Sequence, residues 1–229
     1  MTLGGLVERA LDLAFPGTCV GCQREGDPLC RECEPGLDVR LGSQRGVPIG
    51  LPGDLPIPLL QLEWCAPFHG LARDALHAIK YGGEQRLARP LGAAVARRWR
   101  RAGVGATVVT HVPVHADRAR QRGYDQAALI ARSAARDLGL PHADLLARSR
   151  ATTAQSALDR QDRAHNVAGA FVLRDDPDGA TASWLASARP WILLIDDVVT
   201  TGATLAACAE VLEGAGALGV SAICVAREQ

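Results

Sequence analysis

An α/β domain with a mostly parallel sheet flanked by helices, preceded by a small cysteine-bearing module, is the architecture this 229-residue sequence predicts. Three observations carry that prediction. From residue 104 onward, β-branched apolar runs alternate with Ala- and Leu-rich stretches of helical period. One of the runs, WILLIDDVVTTGAT from Trp191 to Thr204, passes from a buried strand into a Thr/Gly loop that opens a helix. Four cysteines, in two C-x-x-C pairs, lie near the N-terminus and outside the alternating part.

Composition sets the outer limits. The chain is 48% hydrophobic and 22% charged, as in an ordinary soluble globular protein, and long enough for one domain with a small appendage. Aromatics are only 4%, so the core is expected to be built from Leu, Val, Ile and Ala. No apolar run reaches the length of a membrane span. The formal net charge is zero, yet residues 86–163 hold 15 Arg against 6 Asp. That surplus is a candidate face for phosphates or nucleic acid. The plain alternative is base composition, because the chain has a single lysine, Lys80, beside its many arginines.

Taken in order, Leu3, Leu6, Val7, Ala10, Leu11, Ala14 and Phe15 make one face of a short amphipathic helix that ends at Pro16. Glu8, Arg9 and Asp12 break any signal-peptide core, so a cytoplasmic protein is expected. The cysteine pairs follow, then a Gly/Pro-rich linker, GSQRGVPIGLPGDLPIP. Residues from about 61 to 103 are expected to be helical. LARDALHAIKYGG ends in a Gly pair that stops a helix, and Leu87, Leu91, Val95 and Trp99 recur at four-residue spacing. ATVVTHVPV, PWILLIDDVV and VSAICVARE are the expected strands; YDQAALIARSAARDLGL and TLAACAEVLEGAGA are the expected helices between them. The predicted division is therefore 1–60 for the helix, cysteine module and linker, and 61–229 for the main domain.

Cys19 and Cys22, then Cys30 and Cys33 seven residues on, can aim four thiolates at one point. That is the closed tetrahedral shell of a structural zinc site, and Gly21 gives the first turn the freedom a zinc knuckle needs. Disulfides and redox pairs are the competing readings; the lack of a secretory signal disfavours the first, and two redox pairs so close together disfavour the second. Cys65, Cys208 and Cys224 stand alone on apolar elements and read as core thiols.

The loop Thr200, Thr201, Gly202, Ala203, Thr204 sits where a strand ends and a helix starts, so its N–H groups and the helix dipole can hold an anion. A helix capped by Thr201 or Thr204 would need no ligand. Asp196 and Asp197 argue for more, because two carboxylates at the end of an apolar strand are costly without a partner. Carboxylates accept from both hydroxyls of a ribose and leave its 5′-phosphate to the loop. A phosphorylated pentose satisfies both halves.

WILLIDDVVTTGAT resembles the phosphoribosyl-pyrophosphate (PRPP) signature of type I phosphoribosyltransferases: four apolar residues, two acids, two loosely specified residues, then Thr-Thr/Gly-Gly-x-Thr. The order of the four-cysteine N-terminus, LHAIKYGG, HVPVHADRARQRGYDQAALIA, RSRATTAQSALDRQDRAHNVAGAF and the PRPP loop resembles the ComF family, also called ComF/GntX-like, over nearly the whole chain. The family motif RGFNQ stands here as Arg122-Gly123-Tyr124-Asp125-Gln126, with Tyr for Phe and Asp for Asn.

The resemblance implies a type I phosphoribosyltransferase fold after an N-terminal zinc ribbon, with Cys19, Cys22, Cys30 and Cys33 as ligands of a structural Zn²⁺. It implies PRPP, or another ribose 5-phosphate, bound with Mg²⁺. Asp196 and Asp197 would be the catalytic pair, and Val198, Val199, Thr200, Thr201, Gly202, Ala203 and Thr204 the PRPP-binding loop. Arg118, Arg120 and Arg122 fall where related enzymes bind pyrophosphate, with a solvated basic loop as the plain reading. Residues 148–166 resemble the mobile catalytic loop, through Gln155, Arg160, Arg163 and Asn166; Arg163 reads equally as a pyrophosphate contact or an internal salt bridge. Lys80 reads as a phosphate contact or a surface lysine. His111 and His115 read as structural, with no metal partner visible in the sequence.

The expected function is thus a PRPP-binding, ComF-type phosphoribosyltransferase-like protein linked to DNA uptake and natural transformation, with no acceptor named by any stretch. The alternatives are a non-catalytic accessory that binds single-strand DNA or nucleotides beside DNA-uptake or recombination proteins, and a PRPP-responsive regulator. The last lacks an evident helix-turn-helix.

Overall fold

The computed structural model describes residues 17–44, 55–149 and 169–228. The expected N-terminal helix, most of the Gly/Pro-rich linker, and the loop carrying Gln155, Arg160, Arg163 and Asn166 lie outside the described residues.

Two short strands, β1 (Gly17–Thr18) and β2 (Glu25–Gly26), pair antiparallel around the first cysteine pair, and a 3-10 turn over Glu34–Leu37 follows the second. The main domain then runs β3 (Gln61–Pro67), α1 (Gly70–Tyr81), α2 (Ala88–Ala102), β4 (Val108–His111), α3 (Ala116–Arg122), α4 (Gln126–Leu138), β5 (Leu146–Arg148) and β6 (Phe171–Leu173). It closes with α5 (Ala180–Ala188), β7 (Trp191–Val199), α6 (Ala203–Gly214) and β8 (Gly219–Arg227). The order β3-β8-β7-β4 forms one sheet, parallel at each pairing, and β5 pairs with β6 antiparallel. This is the expected α/β class, a parallel sheet flanked by helices.

Strand period decides what each sheet face packs against. Leu193 and Ile195 of β7, with Ile223 and Val225 of β8, enter the layer formed with α1, α2 and α4. Ile192 and Leu194, with Val220, Ala222 and Cys224, enter the layer formed with α6 and the β5–β6 pair. The four-residue stripe Leu87, Leu91, Val95 and Trp99 is buried, as its spacing predicts.

Two expectations are corrected. Residues 61–67, which the sequence places at the start of a helical region, form strand β3, hydrogen-bonded along β8. Gln61 to Ala66 are all buried. A strand covered on both faces shows no apolar–polar alternation, and the buried Gln61 and Glu63 break its apolar run. The arginine-rich segment after β4, with a loop as its expected form, is instead helix α3. There His115 Nδ1 accepts from Asp117 N–H, and Gly123 closes the helix at φ +82°.

The cysteine module is built into the main core. Cys19, Leu29 and Leu37 pack in the same layer as α1 and α2. Arg97 on α2 donates to Glu34 at 2.8 Å and to Asp38 at 2.9 Å. Its neighbour Arg98, with a side chain only 1% exposed, places all five guanidinium donors: two on Glu63, and one each on the carbonyls of Arg40, Ser43 and Gln44.

Candidate functional site

The site takes shape at the carboxyl end of β7, the position parallel α/β sheets use for ligands. Because strand side chains alternate, Asp196 and Asp197 leave β7 on opposite faces. The structure separates two carboxylates that look equivalent in the sequence.

Asp197 turns toward α1 and α4 and is 6% exposed. Its Oδ2 lies 3.0 Å from Lys80 Nζ, at the last turn of α1, and accepts from Gln126 Nε2 at 2.7 Å. Arg122 donates to the oxygen of that same Gln126 amide, so the chain Arg122–Gln126–Asp197–Lys80 spans the rim between two helices. Lys80, the only lysine of the sequence, thus stands on an acid. Gln126 closes the RGYDQ motif, but nothing in the sequence links it to a residue 71 positions away. Its neighbour Asp125 is structural. It caps α4 by accepting from Ala128 N–H at 3.1 Å, and it accepts from Val114 N–H at 3.0 Å. Asn and Asp are both good N-caps, which accounts for the exchange within RGYDQ.

Asp196 turns toward the α6 side. Its Oδ1 accepts from the backbone N–H of Asp197 at 2.8 Å, and among the described residues no side chain pairs with it. Burial, and then the Asp197 charge, raise its pKa well above the ordinary carboxylate value. Arg148, at the end of β5, is close enough to feel the charges of Arg118 and Asp196. Its own pKa is lowered, chiefly by burial and next by Arg118. Arg118 is exposed on α3. Arg148, the first residue of the stretch that resembles the catalytic loop, is thus a cation of this rim; its link to Asp196 exists only after β5 pairs with β6.

Beyond Val198 and Val199 the loop turns at Gly202, φ +84°, where a side chain would also meet Pro56 at 2.8 Å. The N-cap position of α6 is this glycine, which has no side chain to cap with; Thr201 Oγ1 accepts only a 3.4 Å contact from Ala203 N–H. Thr200 and Thr201 are exposed, with Ala203 and Thr204 half-buried behind them. A weakly capped N-terminus facing solvent suits an anion. On the adjoining carboxyl ends of β3 and β8, a cavity of about 350 Å³ is lined by Phe68, His69, Arg73 and Arg227 among others.

The four cysteines also meet. One sulfur from each of Cys19, Cys22, Cys30 and Cys33 lies within 4.8 Å of the other three, and Cys22 and Cys30 sulfurs are 3.7 Å apart. None is in a disulfide. Cys30 N–H points at the Cys19 sulfur from 3.4 Å. Burial pushes the Cys19 thiol up, but N–H donors from Cys30, Cys22 and Gly21 outweigh it and bring the pKa down to about 6. Cys33 is pushed up to about 12 by its bond with Cys30, by burial and by its other sulfur neighbours. Four thiolates this close repel, and a bound cation removes the conflict, so the cluster fits a metal such as zinc. Gly21 serves close approach: a Cβ there would sit 2.8 Å from the Cys33 sulfur. Cys65, Cys208 and Cys224 are core thiols, their pKa values raised chiefly by burial.

No helix among the described residues is long and apolar enough to cross a membrane. No family model matches the chain. DNA utilization protein YhgH of Escherichia coli K12 is 27% identical over 97% of this chain and 95% of its own length. Competence protein F of Haemophilus influenzae is 27% identical over 90% of this chain and 88% of its own. Among solved structures, the glutamine PRPP amidotransferase of B. subtilis complexed with ADP and GMP matches at a TM-score of 0.39 and 21% identity. That match covers 59% of this chain and a quarter of the amidotransferase (25%). Along nearly its whole length, then, the chain is similar in sequence to DNA utilization protein YhgH and to competence protein F.

Proposed function

We propose that the chain binds PRPP at the carboxyl end of β7 and acts as a phosphoribosyltransferase-like protein in the handling of incoming DNA. The observation that carries this reading is the pairing of a half-buried carboxylate, Asp196, which has no side-chain partner among the described residues, with a weakly capped helix N-terminus only six residues further on. Asp196 accepts the ribose hydroxyls, and the N–H groups of residues 200–204 with the threonine hydroxyls take the 5′-phosphate. Asp197, ion-paired to Lys80, holds that cation at the rim for the pyrophosphate. Arg118, Arg122 and Arg148 add positive charge around the same space; Arg163 lies outside the described residues.

If the sugar is transferred, a nitrogen nucleophile forms a bond to C1 while the C1–O bond to pyrophosphate breaks with its electron pair. Positive charge then develops on the sugar ring, where the Asp196 carboxylate stabilises it. Among the described residues neither aspartate joins two further metal ligands; Mg²⁺ bound together with PRPP would help neutralise the leaving pyrophosphate. Cys19, Cys22, Cys30 and Cys33 would hold a structural Zn²⁺, tying together a module whose Cys19, Leu29 and Leu37 pack with α1 and α2.

The test is calorimetry with PRPP and Mg²⁺. Saturable binding is expected, weakened about 10- to 100-fold by Asp196→Asn, the loss of charge-assisted hydrogen bonds. No saturable binding, or equal binding by the variant, overturns the assignment. Pyrophosphate release against a panel of amines and nucleobases then decides turnover.

The names of the sequence relatives favour a second reading, a single-strand DNA accessory. Arg100, Arg101, Arg132 and Arg136 are exposed on α2 and α4 and would form its face. Affinity for single-strand DNA that falls steeply with salt supports it; salt-insensitive binding rejects that face.

A further inference from the structure

We propose that His111, His142 and Asp144 form a second metal site, distinct from the cysteine cluster, for a divalent transition ion that favours imidazole and carboxylate ligands. The three residues come from two elements that meet only in the folded chain. His111 ends β4. Residues 141–144 lie along the free edge of that strand: Val109 N–H donates to Pro141, Ala143 N–H donates to Val109, and Val109 pairs with His142 as an isolated parallel bridge. This added half-strand stacks the His142 ring on the His111 ring, at 5.5 Å between centroids and 14° between planes.

One donor atom from each of the three side chains lies within 4.8 Å of the other two. Asp144 Oδ1 is 3.7 Å from Nδ1 of His111 and 3.7 Å from Nδ1 of His142. Metal–ligand bonds of about 2.1 Å spanning 3.7 Å enclose an angle of roughly 125°, within the range of a distorted tetrahedral or trigonal site. Three buried atoms of the cluster have no hydrogen-bond partner: His111 Nδ1, His142 Nε2 and Asp144 Oδ1. Only 6% of His111 is exposed. Buried polar atoms without partners are uncommon, and two of these, His111 Nδ1 and Asp144 Oδ1, are the atoms that face each other across the proposed site.

The surroundings fit a ligand set held in place. Asp144 directs Oδ2 outward, where Arg132 at 3.2 Å and Arg174 at 3.5 Å donate to it, and so keeps Oδ1 facing the imidazoles. Behind His111, Asp125 Oδ2 stands 3.8 Å from Nε2, an outer carboxylate of the kind that orients a ligating histidine. Burial, its largest cause, lowers the pKa of both rings, that of His142 to about 4, so both offer neutral lone pairs at pH 7. Arg132 and Arg174 oppose a cation, but both are more than half exposed and screened by water. The mixed nitrogen–oxygen set selects Zn²⁺, Co²⁺ or Ni²⁺ over Mg²⁺, and three protein ligands leave a coordination position open.

The probe is Co²⁺ alone, titrated into the full-length reduced protein whose cysteine cluster has first been loaded with zinc. A further equivalent of Co²⁺ is expected, with d–d absorption and no thiolate-to-cobalt charge-transfer band. His142→Gln and Asp144→Asn should each weaken it at least 10-fold, while His77→Gln, at an exposed histidine of α1, should not. Circular dichroism on each variant separates lost binding from lost fold. The wild-type titration stands without them: no cobalt beyond the cysteine sites, or a second cobalt carrying the thiolate band, overturns the proposal. Equal loss in His77→Gln would show scattered surface binding and overturn it too.

Discussion

Arg98 has every one of its buried donors answered, whereas at the end of β7 the Asp196 carboxylate is left without a side-chain partner among the described residues. Arg98 gives five hydrogen bonds to Glu63 and to three carbonyls of the strap 40–44, and Gln61 bridges Glu63 to the Ala102 carbonyl. Asp196, some way across the same sheet, accepts one backbone N–H and has no side-chain partner among the described residues. The first region ties the cysteine module to α2 and β3, so its groups must be satisfied in the folded chain itself. The second presents a carboxylate without a side-chain partner among the described residues and a weakly capped helix end. Satisfied networks hold the frame; unsatisfied ones mark where something binds.

The largest effect should come from breaking the satisfied side. Glu63→Gln turns an acceptor toward Arg98 into a half-donor and leaves a buried guanidinium without its counter-charge. A loss of about 3–5 kcal/mol is expected in urea unfolding, far above the ~0.2–1 kcal/mol typical of exposed ion pairs. A loss under about 1 kcal/mol would mean that Arg98 finds water, and that the comparison between the two regions fails.

How far these two regions are legible in the sequence differs in an instructive way. The cysteine cluster and the Asp-Asp-to-Thr loop are local patterns, visible from spacing alone, and the structure brings the four cysteine sulfurs together. The Arg98 network, the Gln126–Asp197–Lys80 chain and the His111–His142–Asp144 cluster join residues 31 or more positions apart, so no spacing announces them. Strand β3 is hidden for a related reason, since burial on both faces erases its period. Even the legible motif conceals one fact: strand alternation sends Asp196 and Asp197 to different faces, with different partners.

An intermediate effect should follow from Gly21→Ala, where the frame is tightest. The added Cβ would meet the Cys33 sulfur at 2.8 Å and the Cys33 Cβ at 2.9 Å, with Leu71 at 3.0 Å behind. The expected cost is about 1–3 kcal/mol, the range of overpacking in a filled core, with weaker retention of metal against a chelator. Unchanged metal retention would show that the first cysteine turn shifts without disturbing the sulfur geometry.

The smallest effect on stability, and the sharpest test of the comparison, has the opposite sign. Asp196 has a raised pKa because burial and the Asp197 charge disfavour its ionised form. The folded chain therefore holds this proton more tightly than the unfolded chain, whose carboxyl titrates near 3.9. The stabilisation that proton brings is full below that value and is lost as pH rises through the raised one. Asp196→Asn removes the charge while its amide oxygen still accepts from Asp197 N–H. It should raise the melting temperature by about 2–4 °C at neutral pH, the shift of ~1 kcal/mol in a domain this size, and the gain should shrink on acidification. The same variant should lose PRPP affinity. A site that binds at the expense of the fold gives both changes together; a variant less stable than the wild type at neutral pH would show that Asp196 is already satisfied, like Glu63, by the protein itself.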